Sequence, residues 1–529
     1  MGDIMFDYLF KNAKIVDGTG AKAYRADLGV KDGLIAAIAP CLSETSCDKE
    51  HTLNADGKCL TPGFIDIHRH GDAAVFRENY GELEIRQGLT TVVNGNCGLS
   101  VVPREGKWRS EIETFLIPVT GEIPESAPAG SLTEYQKAAK ATNAPLKLEM
   151  LIGNGTISAS VAGYGDGKLS DEEIRQCHVK MEESLRDGAR GVSLGLGYAP
   201  ECHYDTETMT RLLEPMKGAG VPLITHIRGE GDSLDKALRE VIGIAAALRV
   251  PLHVSHLKSM GARNWGKGMD GALRILDEGR EAGNEVSCDF YPYRGGSTQL
   301  IHVFPTTFLA DGIPGFIEFL KDPAKRREIT AELRKPSDAF ENIVELVGWE
   351  NIRMTTLMNE KNQKYCGMSV TEIAEKRGQD PFDCVYDMLI EENCEISMID
   401  YYASEEDILK AMKYPYSNII SDSIYPTKGI LHPRLYGTFP RVIEKYVKKV
   451  GALSLEEAVH KMTLAPARVV GLKDRGAVKE GMAADLLLFD PDKIHTGADF
   501  ANPTVLAEGF DVIMVDGQIR VRNDIMLKQ

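Results

Sequence analysis

Between residues 61 and 422, short apolar, β-branched runs recur with helical stretches between them, and this alternation constrains the fold more than any other property of the chain. The runs are 61–68, Thr90–Asn94, Leu146–Ile152, Gly191–Leu194, Pro222–His226, Pro251–His256, Glu285–Phe290 and Ser417–Asp422. Ser170-Asp171-Glu172-Glu173 opens one intervening helix with a capping box, and residues 232–248 read as another. Near-continuous apolar strands alternating with helices form parallel sheets covered on both faces, and eight such units predict a (β/α)8 TIM-like barrel in the α/β class. A doubly wound sheet is the alternative topology.

The two ends of the chain follow a different pattern. Asp17-Gly18, Asp32-Gly33 and Asp516-Gly517 sit between apolar runs, as hairpin turns do. Strand-rich ends around a different middle predict a small β-sandwich domain assembled from residues 1–60 and 471–529, flanking a barrel over 61–470. From about 294 to 356 the chain is polar and helix-like, with charged stretches at 322–328 and 331–335. A long excursion at the top of a barrel predicts a lid.

Barrel enzymes place their chemistry at the carboxyl ends of the strands. Read in order, those ends carry His68 and His70, then Cys97, His226, His256 and Asp422. The i, i+2 spacing of the first pair sends both imidazoles to one side of a strand. A single strand histidine is usually structural, and a single cysteine usually packs as a small hydrophobe. Metal-ligand types at five separate strand ends are a pattern. A thiolate with imidazoles favours zinc over magnesium or calcium, which prefer oxygen donors. Zinc with an open position acidifies water and polarises a carbonyl, and Asp422 would serve as general base and then general acid. The residues therefore predict metal-assisted hydrolysis of an amide-like bond. By parity His253 is expected to face the helical layer, and Asp66 to act beneath the ligands rather than as one of them. His178, His203, His302, His432, His460 and His495 fall outside the series.

Lys+Arg 61 against Asp+Glu 78 leaves a net charge of −17, which argues against nucleic-acid and anionic-membrane partners. No apolar run approaches the ~20 residues of a membrane-spanning helix, and the amino terminus lacks the basic region of a signal peptide. Met1-Gly2 opens as a myristoylation signal does, but Phe6 stands where that signal needs Ser or Thr. Ten scattered cysteines without a CxxC pair suit reduced thiols and a cytoplasmic protein.

Several segments together resemble the amidohydrolase superfamily, and within it the N-acyl-D-amino-acid deacylases (D-aminoacylases). They are Ala55-Asp56-Gly57 through Pro62-Gly63-Phe64-Ile65-Asp66-Ile67-His68-Arg69-His70, Asn94-Gly95-Asn96-Cys97-Gly98, and Val254-Ser255-His256-Leu257-Lys258. The resemblance continues through Asp289-Phe290-Tyr291-Pro292-Tyr293, Gly296-Ser297-Thr298, His432-Pro433-Arg434, 436–441, Pro466-Ala467-Arg468 and Gly481-Met482-Ala483-Ala484-Asp485-Leu486, covering nearly the whole chain. It implies one tightly bound zinc on Cys97, His226 and His256, a second, weaker site at His68 and His70, and Asp422 as the catalytic acid–base. It also implies that Lys258, Tyr291 and Ser297 bind the α-carboxylate of a small N-acyl amino acid. Ser423 and Arg294 depart from the family pattern, and Arg294 would suit an acidic substrate side chain. A cyclic-amide (dihydropyrimidinase- or hydantoinase-like) or isoaspartyl-dipeptide hydrolase is the alternative activity, and a non-catalytic relative a further one. Assembly into an oligomer is compatible with all three.

Overall fold

Along each barrel strand, alternate residues enter two different cores. In the computed structural model, Phe64, Val92, Leu223, Leu252, Val254 and Val286 pack outward against the helices, whereas Ile65, Val93, Leu151, Ile224 and Ile420 fill the interior. The structure describes residues 5–165, 168–309, 312–337 and 340–527. Residues 310, 311, 338 and 339 of the expected lid, and the first four residues with the Met1-Gly2 pair, lie outside them.

Strands one to three of the barrel are Phe64–Asp66, Leu89–Asn94 and Lys147–Met150, all parallel. The third continues past Leu151 as Ile152–Gly153. Leu151 N donates to Asn94 O on one side, and Ile152 N donates to Gly191 O on the other, so the chain passes from one arc of sheet into the next. That second arc adds Val192–Gly195, Leu223–His226, Leu252–Val254, Val286–Phe290 and Ser417–Ile419, again parallel. Strand eight meets strand one just beyond their ends. Asp422 N donates to His68 O (3.0 Å) and His70 N to Ser423 O (2.9 Å). The (β/α)8 expectation is met, and the seam of the barrel runs through three of the expected site residues.

The two ends of the chain weave into one nine-stranded sheet. Leu486–Phe489, from the carboxyl end, pairs antiparallel with Cys59–Pro62, which in turn pairs with Tyr8–Ile15. Leu486 and Leu488 enter the sheet's own apolar core with Phe10, Leu28 and Leu60, while Leu487 and Phe489 turn to the barrel. Burial on both faces explains why this strand is an unbroken apolar run.

The excursion between strands seven and eight extends further than the polar stretch 294–356. Gly296–Gln299, Ile352–Thr356 and Ser397–Asp400 form an antiparallel sheet, with helices Gly312–Lys321, Pro323–Leu333, Val370–Arg377 and Pro381–Glu391 packed on it. Phe304, Phe316, Tyr386 and Leu389 are buried among these elements. These side chains join the barrel-interior residues Ile65, Val93, Leu151, Ile224 and Ile420 in one continuous apolar cluster, so the insertion caps the barrel and shares its core.

Candidate metal centre

Each expected donor lies at or just past the carboxyl end of a strand, and the chain bends there in an unusual way. Cys97, His256 and Asp422 have φ of 56°, 36° and 52°, the left-handed region that costs a non-glycine residue about 1–3 kcal/mol. Three such residues within one cluster are a functional signature, because the turn aims each side chain back over the barrel mouth. Extrapolated parity fails at such a turn, and His253 shows it. His253 points into the barrel, not toward the helical layer as expected, with Nδ1 2.7 Å from Ser287 Oγ and Nε2 3.0 Å from Asp289 Oδ2.

Cys97 Sγ is 3.3 Å from His68 Nε2 and 3.5 Å from His256 Nε2. His256 Nε2 is in turn 3.0 Å from His226 Nδ1. Asp422 Oδ1 faces His68 Nε2 at 3.5 Å and His70 Nε2 at 3.4 Å. Potential ligand atoms of His68, Cys97 and His256 lie within 4.8 Å of one another, as do those of His68, His70 and Asp422, and of His226, Glu230 and His256. Apart from His226, at the rim, these residues are buried.

The electrostatics fit a cation. Burial alone would raise the Cys97 pKa, but the positive potential of His68 and His256 holds the thiol well below its usual range. Burial would lower His256, yet Glu230 and the Cys97 thiolate carry it up to about 9. His70 is raised too, against its burial, by Asp422 and Cys97. Asp422 would rise on burial, but Arg434 beside it and the His70 contact hold it well below the usual carboxylate range. Four imidazoles thus converge on one thiolate and one carboxylate; His70 Nδ1 has no hydrogen-bond partner, and His68 Nδ1 faces Asp289 Oδ2 at 3.6 Å. A divalent ion would replace mutual proton-sharing with coordination by the same atoms. The donor set, one sulfur with nitrogens, suits a borderline-soft ion.

Supporting residues include several that strand-end reading missed. Glu230 accepts from Lys258 Nζ (2.5 Å) and lies 3.0 Å from His256 Nδ1. Asp289 accepts from the backbone N–H of His256 and from His253. Arg434 Nη1 donates to Asp422 Oδ2 (2.8 Å) and Nη2 to Ser297 O (3.3 Å), leaving its buried Nε without a partner. Asp66 accepts from Arg69, Ser421 and the His68 N–H, a floor beneath the histidine pair, as expected.

Of the expected substrate-binding residues, Ser297 lines the same cavity as His70, Cys97 and Asp422. The Tyr291 hydroxyl is hydrogen-bonded to Tyr402, and its ring lies under the Arg434 guanidinium at 5.1 Å. Lys258 Nζ donates to Glu230 Oε1 and lies 2.8 Å from His256 Nδ1, and the residue lines a second cavity with His256, Tyr291 and Tyr402. Arg294 is exposed and donates from Nε to Ala403 O (3.2 Å). It stands two residues before the insertion's first strand and does not line that cavity.

A sequence profile described as the amidohydrolase family matches residues 51–308 and 431–521. A D-aminoacylase of Alcaligenes xylosoxydans xylosoxydans is 31% identical over 513 residues, 97% of this chain and 94% of that protein. A solved structure of D-aminoacylase, described by a binuclear metal centre with one-metal activation and second-metal attenuation, superposes with a TM-score of 0.81. It is 29% identical and aligns 99% of this chain with 98% of that one. The N-acyl-D-glutamate deacylase of Bordetella bronchiseptica, solved with zinc and a phosphonate mimic of the tetrahedral intermediate, gives 0.79 at 28% identity, over 97% and 96%.

Proposed function

The chain belongs to the amidohydrolase family, and from that premise we propose that it hydrolyses the amide bond of N-acyl-D-amino acids, releasing a carboxylate and the free D-amino acid. The observation that carries this reading is Asp422. One of its oxygens faces the His68 and His70 ring nitrogens, the other is held by Arg434, and it lies beside the Cys97 cluster. Hand and substrate class rest on the relatives, whose names are D-aminoacylase and N-acyl-D-glutamate deacylase.

Cys97, His226 and His256 would hold the principal zinc, and His68 and His70, with Cys97 at 3.3 Å from His68, a second. Zinc when bound acidifies water to a pKa of about 7 and polarises a carbonyl. Asp422 is deprotonated as it stands, so it can accept the proton of an attacking water. The same carboxyl then returns that proton to the leaving nitrogen, without which an amine anion would have to depart. Glu230 fixes which nitrogen of His256 carries hydrogen, because an Nδ1–H donated to the carboxylate leaves Nε2 free toward Cys97 and His226. Arg434, with Ser297 on the same wall, supplies a cation for the substrate's α-carboxylate. Lys258 acts on that end of the site through Glu230.

The test is a hydrolysis screen of N-formyl, N-acetyl and N-succinyl amino acids of both hands, including D-Glu and D-Asp, on zinc-reconstituted protein. Release of D-amino acids is the expected result. Turnover confined to L-substrates or to cyclic amides overturns the proposal.

A further inference from the structure

The cavity beside the donors opens in part to solvent, and its lining divides by chemistry. Ser297, Thr298, Gln299 and Arg434 form a polar side, with Tyr198 and His302 also present. Leu99, Phe115, Val119 and Ile424 form an apolar wall. His70, Cys97, His256 and Asp422 line the same cavity.

The apolar wall is a constructed surface. Helix Arg109–Thr120 buries Ile112 and Leu116 in the barrel's outer core, four residues apart. Phe115 and Val119, also four apart, form the adjoining stripe on the cavity side and remain half-buried. The Phe115 ring is fixed against Tyr164, with centroids 4.6 Å apart. At the helix end, Val119 O accepts from Tyr425 N (2.9 Å), and Arg77 Nη2 donates to Tyr425 O (3.0 Å). The helix is thereby pinned to the loop after strand eight, which carries both Asp422 and Ile424. The distance from the apolar wall to the acid–base is set by backbone contacts.

Resting on the deacylase reading above, we infer that this wall is the acyl subsite, and that it selects aliphatic acyl groups longer than acetyl. The amide has two ends. Its nitrogen must approach Asp422, and the carboxylate on the next carbon is drawn to Arg434 and Ser297. The acyl substituent lies on the far side of the carbonyl carbon from that nitrogen, so it extends away from the polar wall and onto Leu99, Phe115, Val119 and Ile424. A formyl or acetyl group leaves most of these side chains uncovered. Each added methylene brought against them is worth about a fourfold gain in kcat/KM. A charged acyl group of the same length would lose its hydration against a wall that offers no partner.

The experiment measures kcat/KM on one D-amino acid carrying formyl, acetyl, butyryl, hexanoyl or succinyl groups, with wild type, Phe115→Ala and Val119→Phe. Butyryl is expected to exceed acetyl by about 15-fold, from two methylenes at fourfold each, and succinyl to fall below acetyl. Phe115→Ala should bring the butyryl-to-acetyl ratio toward one, and Val119→Phe should lower the butyryl-to-formyl ratio at least tenfold. Because each readout is a ratio within one protein, loss of folded enzyme cancels. Hydrolysis of the acetyl substrate with no gain from chain length, or ratios unmoved by both variants, overturns the acyl subsite and leaves the deacylase reading standing. No hydrolysis of any D-substrate overturns both.

Discussion

Replacing Glu230 with Gln separates the ligand-orienting role of this carboxylate from its structural one. The side chain is buried, receives the Lys258 ammonium at 2.5 Å and lies 3.0 Å from His256 Nδ1. Burial alone would raise its pKa, but Lys258, His226 and His256 hold it well below the usual range, so it is a carboxylate at neutral pH. Glutamine keeps the shape and removes the charge. Lys258 then stands as a buried ammonium without a counter-ion, a state that costs about 3–5 kcal/mol. For a chain of 529 residues unfolding as one unit, at about 2.1 cal/mol/K per residue, a loss of 4 kcal/mol lowers Tm by about 4 °C. Separately, the weakened hold on His256 should reduce metal affinity by about 10–100-fold. Thermal scans of metal-free protein read the first effect, and zinc competition against a chelator reads the second. The double variant Glu230→Gln/Lys258→Met should recover Tm but not metal affinity. A Glu230→Gln protein that binds zinc within twofold of the parent would refute the orienting role.

Three further outcomes are expected. Asp422→Asn removes the proton carrier while keeping its volume, so kcat should fall about 10²–10⁴-fold at unchanged zinc content, and a loss under tenfold would remove Asp422 from the mechanism. Arg434→Met should raise KM about 10–100-fold by deleting a charge-assisted hydrogen bond to the substrate carboxylate. Because Arg434 also holds the Asp422 pKa down, the acid limb of the kcat profile should move to higher pH in that variant, and an unmoved limb counts against the contact. In the insertion, Arg377 holds the Glu391 carboxyl at about 2 against an ordinary 4.5. A depressed folded-state pKa gives stability that is present above 4.5 and lost as pH falls toward 2. Arg377→Met should therefore lower stability at neutral pH and flatten its decline between 4.5 and 2, as read by denaturant unfolding at each pH.

The barrel was legible because its strands are buried on both faces, which writes them as unbroken β-branched runs, and because donor residues at strand ends stand out against such runs. His68, His70, Cys97, His226, His256 and Asp422 were found this way, and they do converge. Asp289 carried a similar signal, a carboxylate one residue from the end of the run Val286–Phe290, and could have been found by a rule that admits the penultimate strand position. Glu230 and Arg434 carried no such signal. Glu230 lies in a loop four residues beyond His226, and Arg434 opens the helix Arg434–Arg441 twelve residues beyond Asp422, where strand spacing does not dictate direction. Arg294 shows the converse: a charge beside a site motif that stands exposed, two residues before the antiparallel strand beginning at Gly296. The insertion's extent was hidden because its sheet pairs Gly296–Gln299 with Ser397–Asp400, about a hundred residues later, a contact no local periodicity records.

Parity also failed at the position where function requires it to fail. A strand that simply continued would send alternate side chains inward and outward, and no single strand could aim a ligand back across the mouth of the barrel. Cys97, His256 and Asp422 escape this by taking positive φ immediately after strands two, six and eight, at about 1–3 kcal/mol each. Neighbouring contacts hold all three turns. Asp289 accepts the His256 N–H, His68 O accepts the Asp422 N–H, and Ser193 Oγ accepts the N–H of Gly98, next to Cys97. Each partner lies on another barrel strand or at its end, so the closed barrel itself offsets the strain. The residues that depart from the strand pattern are thus those that the barrel's closure positions for chemistry, and counting parity back from His256 misplaced His253 for the same reason.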